Sequence, residues 1–334
     1  MAERAAQIAA FLSAHGWADA ERFPLPGDAS FRRYCRLAYD GATTMLMDAP
    51  PPHEDVRPYI AVARHLRGLD LSAPEIFAAE EETGLLLIED FGDGTFTRLL
   101  AQGGDERTLY EMAVDVLIAL HRRFDAAHAA WLPPYDDTRL LNEAALLVDW
   151  YLPAITGRPT PPALRAEYLD LWRNLFPVAR AVPSSLVLRD YHVDNLMRIA
   201  GRTGLAACGL LDFQDAVLGP ITYDLVSLLE DSRRDIAEGL IAAMRARYLA
   251  AFPALDRARF DASCAVLGAQ RHCKVIGIFT RLCRRDGKPR YLAHIPRLWR
   301  LLEGNFRQPA LKPVEAWLER NIPRELRRVP AVAA

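Results

Sequence analysis

The chain has 334 residues, 51% of them apolar and 25% charged, and a net charge of -2. Those values describe a globular protein with enough chain to bury a large core. They exclude a global attraction to nucleic acid or to an anionic membrane, so neither is expected as a partner and any recognition of charge must be local.

The opening stretch MAERAAQIAAFLSAHGW carries Ile8, Phe11 and Leu12 at helical spacing. Its acidic and basic residues stand where a signal peptide has its apolar run, and no later segment has the length of a membrane span. A cytoplasmic location is expected. LPGDASFRRYCRLAYDGATTMLMDAPPP then reads as two or three strands, with YDGA as the hairpin turn. EDVRPYIAVARHLRGLDL puts Ile60, Val62, Ala63 and Leu66 on one helical face, and SAPEIFAAEEETGLLLIEDFGDGTF reads as two more strands joined at residues 81–84.

The polar, glycine-bearing EDFGDG marks a lobe boundary, giving an N-terminal lobe at 1–90 and a C-terminal lobe at 91–334. Beyond it the pattern is mostly helical, including one long helical stretch from Asp224 to Phe252 and another from Phe260 to Asp286; strands are expected only between Ser185 and Phe213. The expected fold class is therefore α+β: a small antiparallel sheet plus helix, then a larger, mostly helical lobe. The five cysteines, Cys35, Cys208, Cys264, Cys273 and Cys283, are scattered and contain no CxxC pair, which fits reduced structural thiols.

The stretch LVLRDYHVDNLMRI interrupts an apolar run with Arg189, Asp190, His192, Asp194 and Asn195. If NLMRI pairs with LAACGLLDF through the GRTG turn, Asn195 comes beside Asp212. Asp190 precedes Asn195 in the same loop, so two carboxylates and a carboxamide are expected at one end of a small sheet. Magnesium takes hard oxygen ligands from one or two side chains, with phosphate and water completing its shell, and an acceptor hydroxyl needs a positioned carboxylate. Each residue alone reads equally well as a turn former; the spacing favours phosphoryl transfer for the set.

RDYHVDN resembles the catalytic loop of the protein-kinase-like phosphotransferases, with Asp190 and Asn195 in the matching positions, and LLDF resembles their metal-binding segment. VLGPITYDLVSLLED resembles the aminoglycoside phosphotransferase and sugar-kinase branch, Asp224 and Leu225 being its Asp-Leu pair. GDASFRRYCRL, LMDAPPPHEDVRPY and QRHCKVIGIFTRLCRRDGKPRYL are similar to the bacterial anomeric kinases that act on N-acetylmuramate and N-acetylglucosamine in cell-wall (peptidoglycan) recycling. The resemblance implies a two-lobed kinase-like fold and transfer from ATP with Mg2+. It implies Asp190 as base, Asn195 and Asp212 as metal ligands, a turn at Gly27, Asp28 and Ser30 over the phosphates, and adenine held by the backbone around Glu89 and Phe91.

Two positions depart from that pattern. Leu188 stands where the family often has a scaffold histidine, and TTMLMDAP lacks the third-strand lysine that touches the phosphates. Arg32, Arg33 or Arg36 could supply the charge. Alternation separates Arg33 from the other two by face; Arg33 is the one selected, and an exposed strand face is the rival reading.

Residues 271–290 hold seven Lys and Arg. They read either as a solvated face or, through Arg271, His272 and Lys274, as a group suited to an acceptor carboxylate. Asp194, Gln214 and Asp215 are further candidates for sugar hydroxyls. The leading expectation is an ATP-dependent kinase for a small-molecule sugar. A phosphotransferase for an aminoglycoside or other small alcohol, and a nucleotide-binding pseudokinase, are the alternatives.

Overall fold

The computed structural model describes residues 2–27 and 31–332. By contacts the chain groups into two compact units, Met1–Arg123 with Val193–Ala216, and Phe124–His192 with Val217–Ala334. This grouping keeps residues 91–123 and 193–216 with the N-terminal sheet rather than with the remaining helices.

The chain begins with α1 (Ala2–Ala14), β1 (Glu21–Pro24), β2 (Arg33–Tyr39), β3 (Ala42–Asp48), α2 (Arg57–Gly68), β4 (Ile76–Glu80) and β5 (Leu85–Ile88). Next come α3 (Phe96–Ala101), α4 (Glu106–Arg123), α5 (Asp137–Leu146), α6 (Leu152–Thr156), α7 (Pro162–Ala179) and β6 (Ser184–Val187). The remainder is β7 (Leu196–Arg198), β8 (Cys208–Leu210), β9 (Val217–Pro220), α8 (Thr222–Leu229), α9 (Glu238–Ala251), α10 (Arg257–Asp286), α11 (Ile295–Asn305) and α12 (Lys312–Asn321).

In the first unit an antiparallel sheet runs in the order β1-β2-β3-β5-β4. The turn between β2 and β3 places Asp40 at φ 49° and Gly41 at φ 75°. Two successive left-handed residues match the twist of a two-residue hairpin, which is why Asp-Gly occurs there. Leu37, Leu46, Leu85 and Leu87 pack on Phe11 and Leu12 of α1. Burying each such side chain contributes roughly 1.5–3 kcal/mol, and all four residues of β5 are buried, as befits an inner strand. The β7-β8 hairpin joins this unit: Leu210 N donates to Ser72 O at 2.8 Å, and Tyr59 of α2 stacks on Phe213 at 4.9 Å. At Gly209 a Cβ would come within 2.6 Å of the Phe91 ring, so only glycine allows this strand to lie against Phe91.

The second unit is built around α10, a 30-residue helix. Its core includes Tyr151, Tyr168, Trp172, Phe176, Trp299 and Trp317. Where α10 meets α5, a Cβ on Gly277 would lie 2.3 Å from the Leu146 carbonyl carbon; the missing side chain lets the two backbones approach. β6 pairs antiparallel with β9, a strand missing from the sequence reading because VLGP carries both a glycine and a proline.

The helical stretch expected from Asp224 to Phe252 is interrupted between α8 and α9. Asp231 Oδ1 accepts from Arg233 N at 2.8 Å. Such a local side-chain bond offers the backbone an alternative to the helix. Helix periodicity continues through this segment in the sequence, but the helix does not.

Candidate active site

After β6 the chain enters the loop that bears Asp190. Leu188 N and Arg189 N donate to Asp224 Oδ2 and Oδ1 at 2.6 and 2.9 Å, and Ser227 Oγ donates to Arg189 O at 3.4 Å. Arg189 takes φ 71°, a conformation that costs a non-glycine residue about 1–3 kcal/mol. The Arg189 side chain is held in place: its guanidinium pairs with Glu143 of α5 and lies 6.0 Å from the Tyr135 ring centroid. Burial pushes the Asp224 carboxyl up to about 7, against the two amides that favour its ionised form.

Glu143 is the hub of this network. It accepts from Tyr135 Oη at 2.5 Å, Lys274 Nζ at 2.8 Å and Gln270 Nε2 at 3.2 Å, besides Arg189. Burial would raise its carboxyl, but Lys274 and Arg189 pull it down to about 2. Lys274 stays charged for the reciprocal reason, Glu143 outweighing the burial of its ammonium.

Asp190 retains some exposed surface, yet its carboxyl sits among charges. Burial raises it, while Lys274, His192, Arg271 and Arg189 hold it below the ordinary aspartate value. Burial and Arg233 push His192 down, so near neutral pH this histidine is uncharged and the three cations carry the field. Asp190 is therefore ionised near neutral pH.

Asn195 and Asp212 belong to the first unit, Asp190 to the second. The β7-β8 register pairs Leu196 with Leu210, and Asn195 Nδ2 lies 3.5 Å from Asp212 Oδ2, as the pairing through GRTG required. Asp212 adopts φ 57°. Its Oδ1 accepts from Arg32 Nη2 at 2.9 Å and from Gln214 Nε2 at 3.0 Å. Asp212 is 40% exposed at its side chain, open enough to take a ligand. Among the described residues no cluster of three or more His, Cys, Asp or Glu could hold a metal; one carboxylate and one carboxamide match an ion that keeps phosphate and water as its other ligands.

The nucleotide candidates divide. Asp28 and Ser30 lie outside the described residues, and Gly27 is exposed. Arg33 is exposed as well, whereas Arg32 reaches Asp212 and lies 3.8 Å from Glu54. Arg36 donates to Asp90 at 2.6 Å and to Asp93 at 2.9 Å, bracing the polar segment after β5. Glu89 N is engaged by Glu75 O at 2.8 Å and its carboxylate by Arg202. Phe91 is buried beneath the Arg202 guanidinium, 5.6 Å from its ring centroid.

The acceptor candidates divide as well. Asp194 accepts from Thr97 Oγ1, Gln214 serves Asp212, and Asp215 is exposed. Arg271, His272 and Lys274 are all buried, while Arg284 and Arg285 farther along α10 are exposed. The basic segment is thus neither one solvated face nor one pocket. Glu143 was missed by the sequence reading; its signal was a lone carboxylate on the same helical face as Leu140, Ala144 and Leu147.

A sheet-first, helices-after chain, with an ionised loop carboxylate and a hairpin that joins a carboxamide to a second carboxylate, has the build of a kinase-like phosphotransferase. Residues 23–260 match the phosphotransferase enzyme family, and the chain belongs to it. The N-acetylmuramate/N-acetylglucosamine kinase of Caulobacter vibrioides is 39% identical, over 98% of this chain and 99% of that one. The protein of the same name from Pseudomonas aeruginosa is 40% identical, over 87% of this chain and 86% of its own. The structure of choline kinase from Streptococcus pneumoniae has the same fold, with a TM-score of 0.63 at 11% identity, over 91% of this chain and 99% of that one.

Proposed function

We propose that this phosphotransferase is an ATP- and magnesium-dependent sugar kinase that phosphorylates the anomeric hydroxyl of N-acetylmuramate and N-acetylglucosamine. The observation that carries this reading is the 39% identity, over 98% of the chain, to a kinase named for those two sugars. Asp190 orients the C1 hydroxyl and takes its proton as the sugar oxygen bonds to the γ-phosphorus. The bond from that phosphorus to the β-phosphate oxygen breaks, and ADP leaves. Because the transition state is loose, positioning and charge neutralisation do most of the work and a weakly basic carboxylate suffices.

Asn195 and Asp212 would hold magnesium, which neutralises phosphate charge when bound. In this reading Arg32 takes the role first given to Arg33. It already pairs with Asp212, and a phosphate would offer its fork a stronger anion. That supplies the positive charge that the third strand, with no lysine, lacks. In this reading residues 1–90 form the nucleotide-holding lobe, with Gly27, Asp28, Ser30 and Glu89 as contacts and Phe91 at the boundary just beyond it, and 91–334 form the lobe that supplies base and acceptor. No helix among the described residues is long and apolar enough to cross a membrane; the proposed setting is the cytoplasm, in the recycling of peptidoglycan sugars.

The test is phosphoryl transfer from radiolabelled ATP to N-acetylmuramate, N-acetylglucosamine and an aminoglycoside, with Asp190→Asn as control. Transfer to the two amino sugars, lost in the variant, is expected. Transfer to the aminoglycoside alone would replace the acceptor assignment, and tight ATP binding with no transfer would make the chain a pseudokinase.

A further inference from the structure

Two buried groups near the loop of Asp190 have unused hydrogen-bonding capacity. Arg271 is 4% exposed and its Nη1 has no hydrogen-bond partner among the described residues; Asp231 is 1% exposed and its Oδ2 is likewise without one. Neighbouring side chains are committed: Lys274 to Glu143 and Tyr223, His272 to Glu230.

Three contacts bring these groups into one neighbourhood of the second unit. His272 Nε2 lies 2.7 Å from Glu230 Oε2, which seats the Arg271 turn of α10 against the end of α8, where Asp231 follows Glu230. Gly268, one turn earlier, admits that carboxylate; a Cβ there would come within 2.7 Å of Glu230 Oε2. Arg233, whose amide holds Asp231 Oδ1, extends its guanidinium to His192 Nε2 at 3.4 Å, two residues beyond Asp190. The charges acting on His192 are accordingly Arg233, Asp231, Asp190 and Arg271. A guanidinium N–H and a carboxylate oxygen, both buried and both unspent, are what a polar ligand satisfies. The planar fork of arginine suits a carboxylate, and a carboxylate oxygen accepts readily from a sugar hydroxyl.

We infer that Arg271 and Asp231 form the acceptor subsite beside Asp190, Arg271 receiving the lactyl carboxylate of N-acetylmuramate and Asp231 accepting from a ring hydroxyl common to both sugars. The inference rests on the sugar-kinase reading and adds the residue that separates the two substrates: N-acetylglucosamine has no carboxylate to offer Arg271.

The experiment measures kcat and KM of the full chain for both sugars, in the wild type and in Arg271→Met, Arg271→Lys and Asp231→Asn. Arg271→Met is expected to lower kcat/KM for N-acetylmuramate, relative to N-acetylglucosamine, by at least about tenfold, the loss of one charge-assisted hydrogen bond, with Arg271→Lys recovering part of it. Asp231→Asn is expected to raise KM for both sugars while KM for ATP holds. An unchanged sugar ratio in Arg271→Met, or a rise in ATP KM in Asp231→Asn, overturns the inference. The wild type is also compared on N-acetylmuramate and its neutral lactyl carboxamide, so the test survives a variant that fails to fold. At least tenfold preference for the acid is expected, and no preference overturns the assignment of Arg271. A wild type inactive on both sugars would instead refute the sugar-kinase reading on which the inference rests.

Discussion

Replacing Glu143 with glutamine keeps the shape of the side chain and removes the carboxylate with which both Lys274 and Arg189 pair. In the folded protein its carboxyl lies at about 2 rather than 4.5, a difference of roughly 2.5 pKa units, or about 3 kcal/mol. Glutamine also takes from the buried Lys274 ammonium the carboxylate that pairs with it at 2.8 Å, and breaking a buried pair in this way costs about 3–5 kcal/mol. Urea unfolding at pH 7, followed by the fluorescence of the buried tryptophans of the second unit, should therefore show Glu143→Gln less stable by about 3 kcal/mol.

The pH dependence carries a separate signature. Because the folded value is depressed, the contribution is complete above the unfolded value and fades as pH falls toward the folded one. At pH 4 the gap between wild type and variant should have narrowed by about 1 kcal/mol. Toward alkaline pH the variant alone should gain stability, as an unpaired buried ammonium gives up its proton. A gap under about 1 kcal/mol at pH 7, below the range for breaking a buried pair, would refute the account of Glu143 as the hub. So would a gap that widens on acidification.

Asp190→Asn should lower kcat by about 100-fold or more with little change in the thermal melt, checked by initial rates and circular dichroism. Asp212→Asn should abolish the response of the rate to added magnesium while the fold persists; near-normal rates would remove it from the metal site. Arg32→Ala should raise KM for ATP by about tenfold or more, the value of a charge-assisted hydrogen bond, whereas Arg33→Ala should alter it little; the reverse result would restore Arg33. Asp224, raised to about 7 by burial, binds its proton more tightly when folded. Its contribution is full below the unfolded value near 4 and is lost as pH rises through about 7. Asp224→Asn should flatten the melting temperature between pH 5 and 8.

Much of the order of elements, β9 and the break after α8 apart, was readable from local pattern because the governing forces are local. Asp40-Gly41 specified a left-handed turn, and the apolar runs around GRTG specified a hairpin whose pairing sets Asn195 beside Asp212. Asp190 precedes Asn195 in the same loop, and its role as base is what the resemblance implies. Periodicity could not sort Arg271, His272 and Lys274, since this stretch of α10 is buried nearly all round and has no solvent face to betray a direction. Lys274 and His272 are placed by Glu143 and Glu230, 131 and 42 residues away in the chain.

Arg32 and Arg33 illustrate the same division. Strand alternation was expected to separate them by face; in the structure β2 begins at Arg33, Arg32 lies just before it, and the packing of the first unit brings Arg32 to Asp212. The break after α8 was a local outcome of another kind: Asp231 leaves the helical pattern by bonding the Arg233 amide, a bond that hydrophobic periodicity does not register. Sequence alone pointed to the class of chemistry and to the loop proposed to bear it. The partners of its buried charges were set by tertiary structure, because a buried ion must be matched by whatever group folding brings within reach, however distant in the chain.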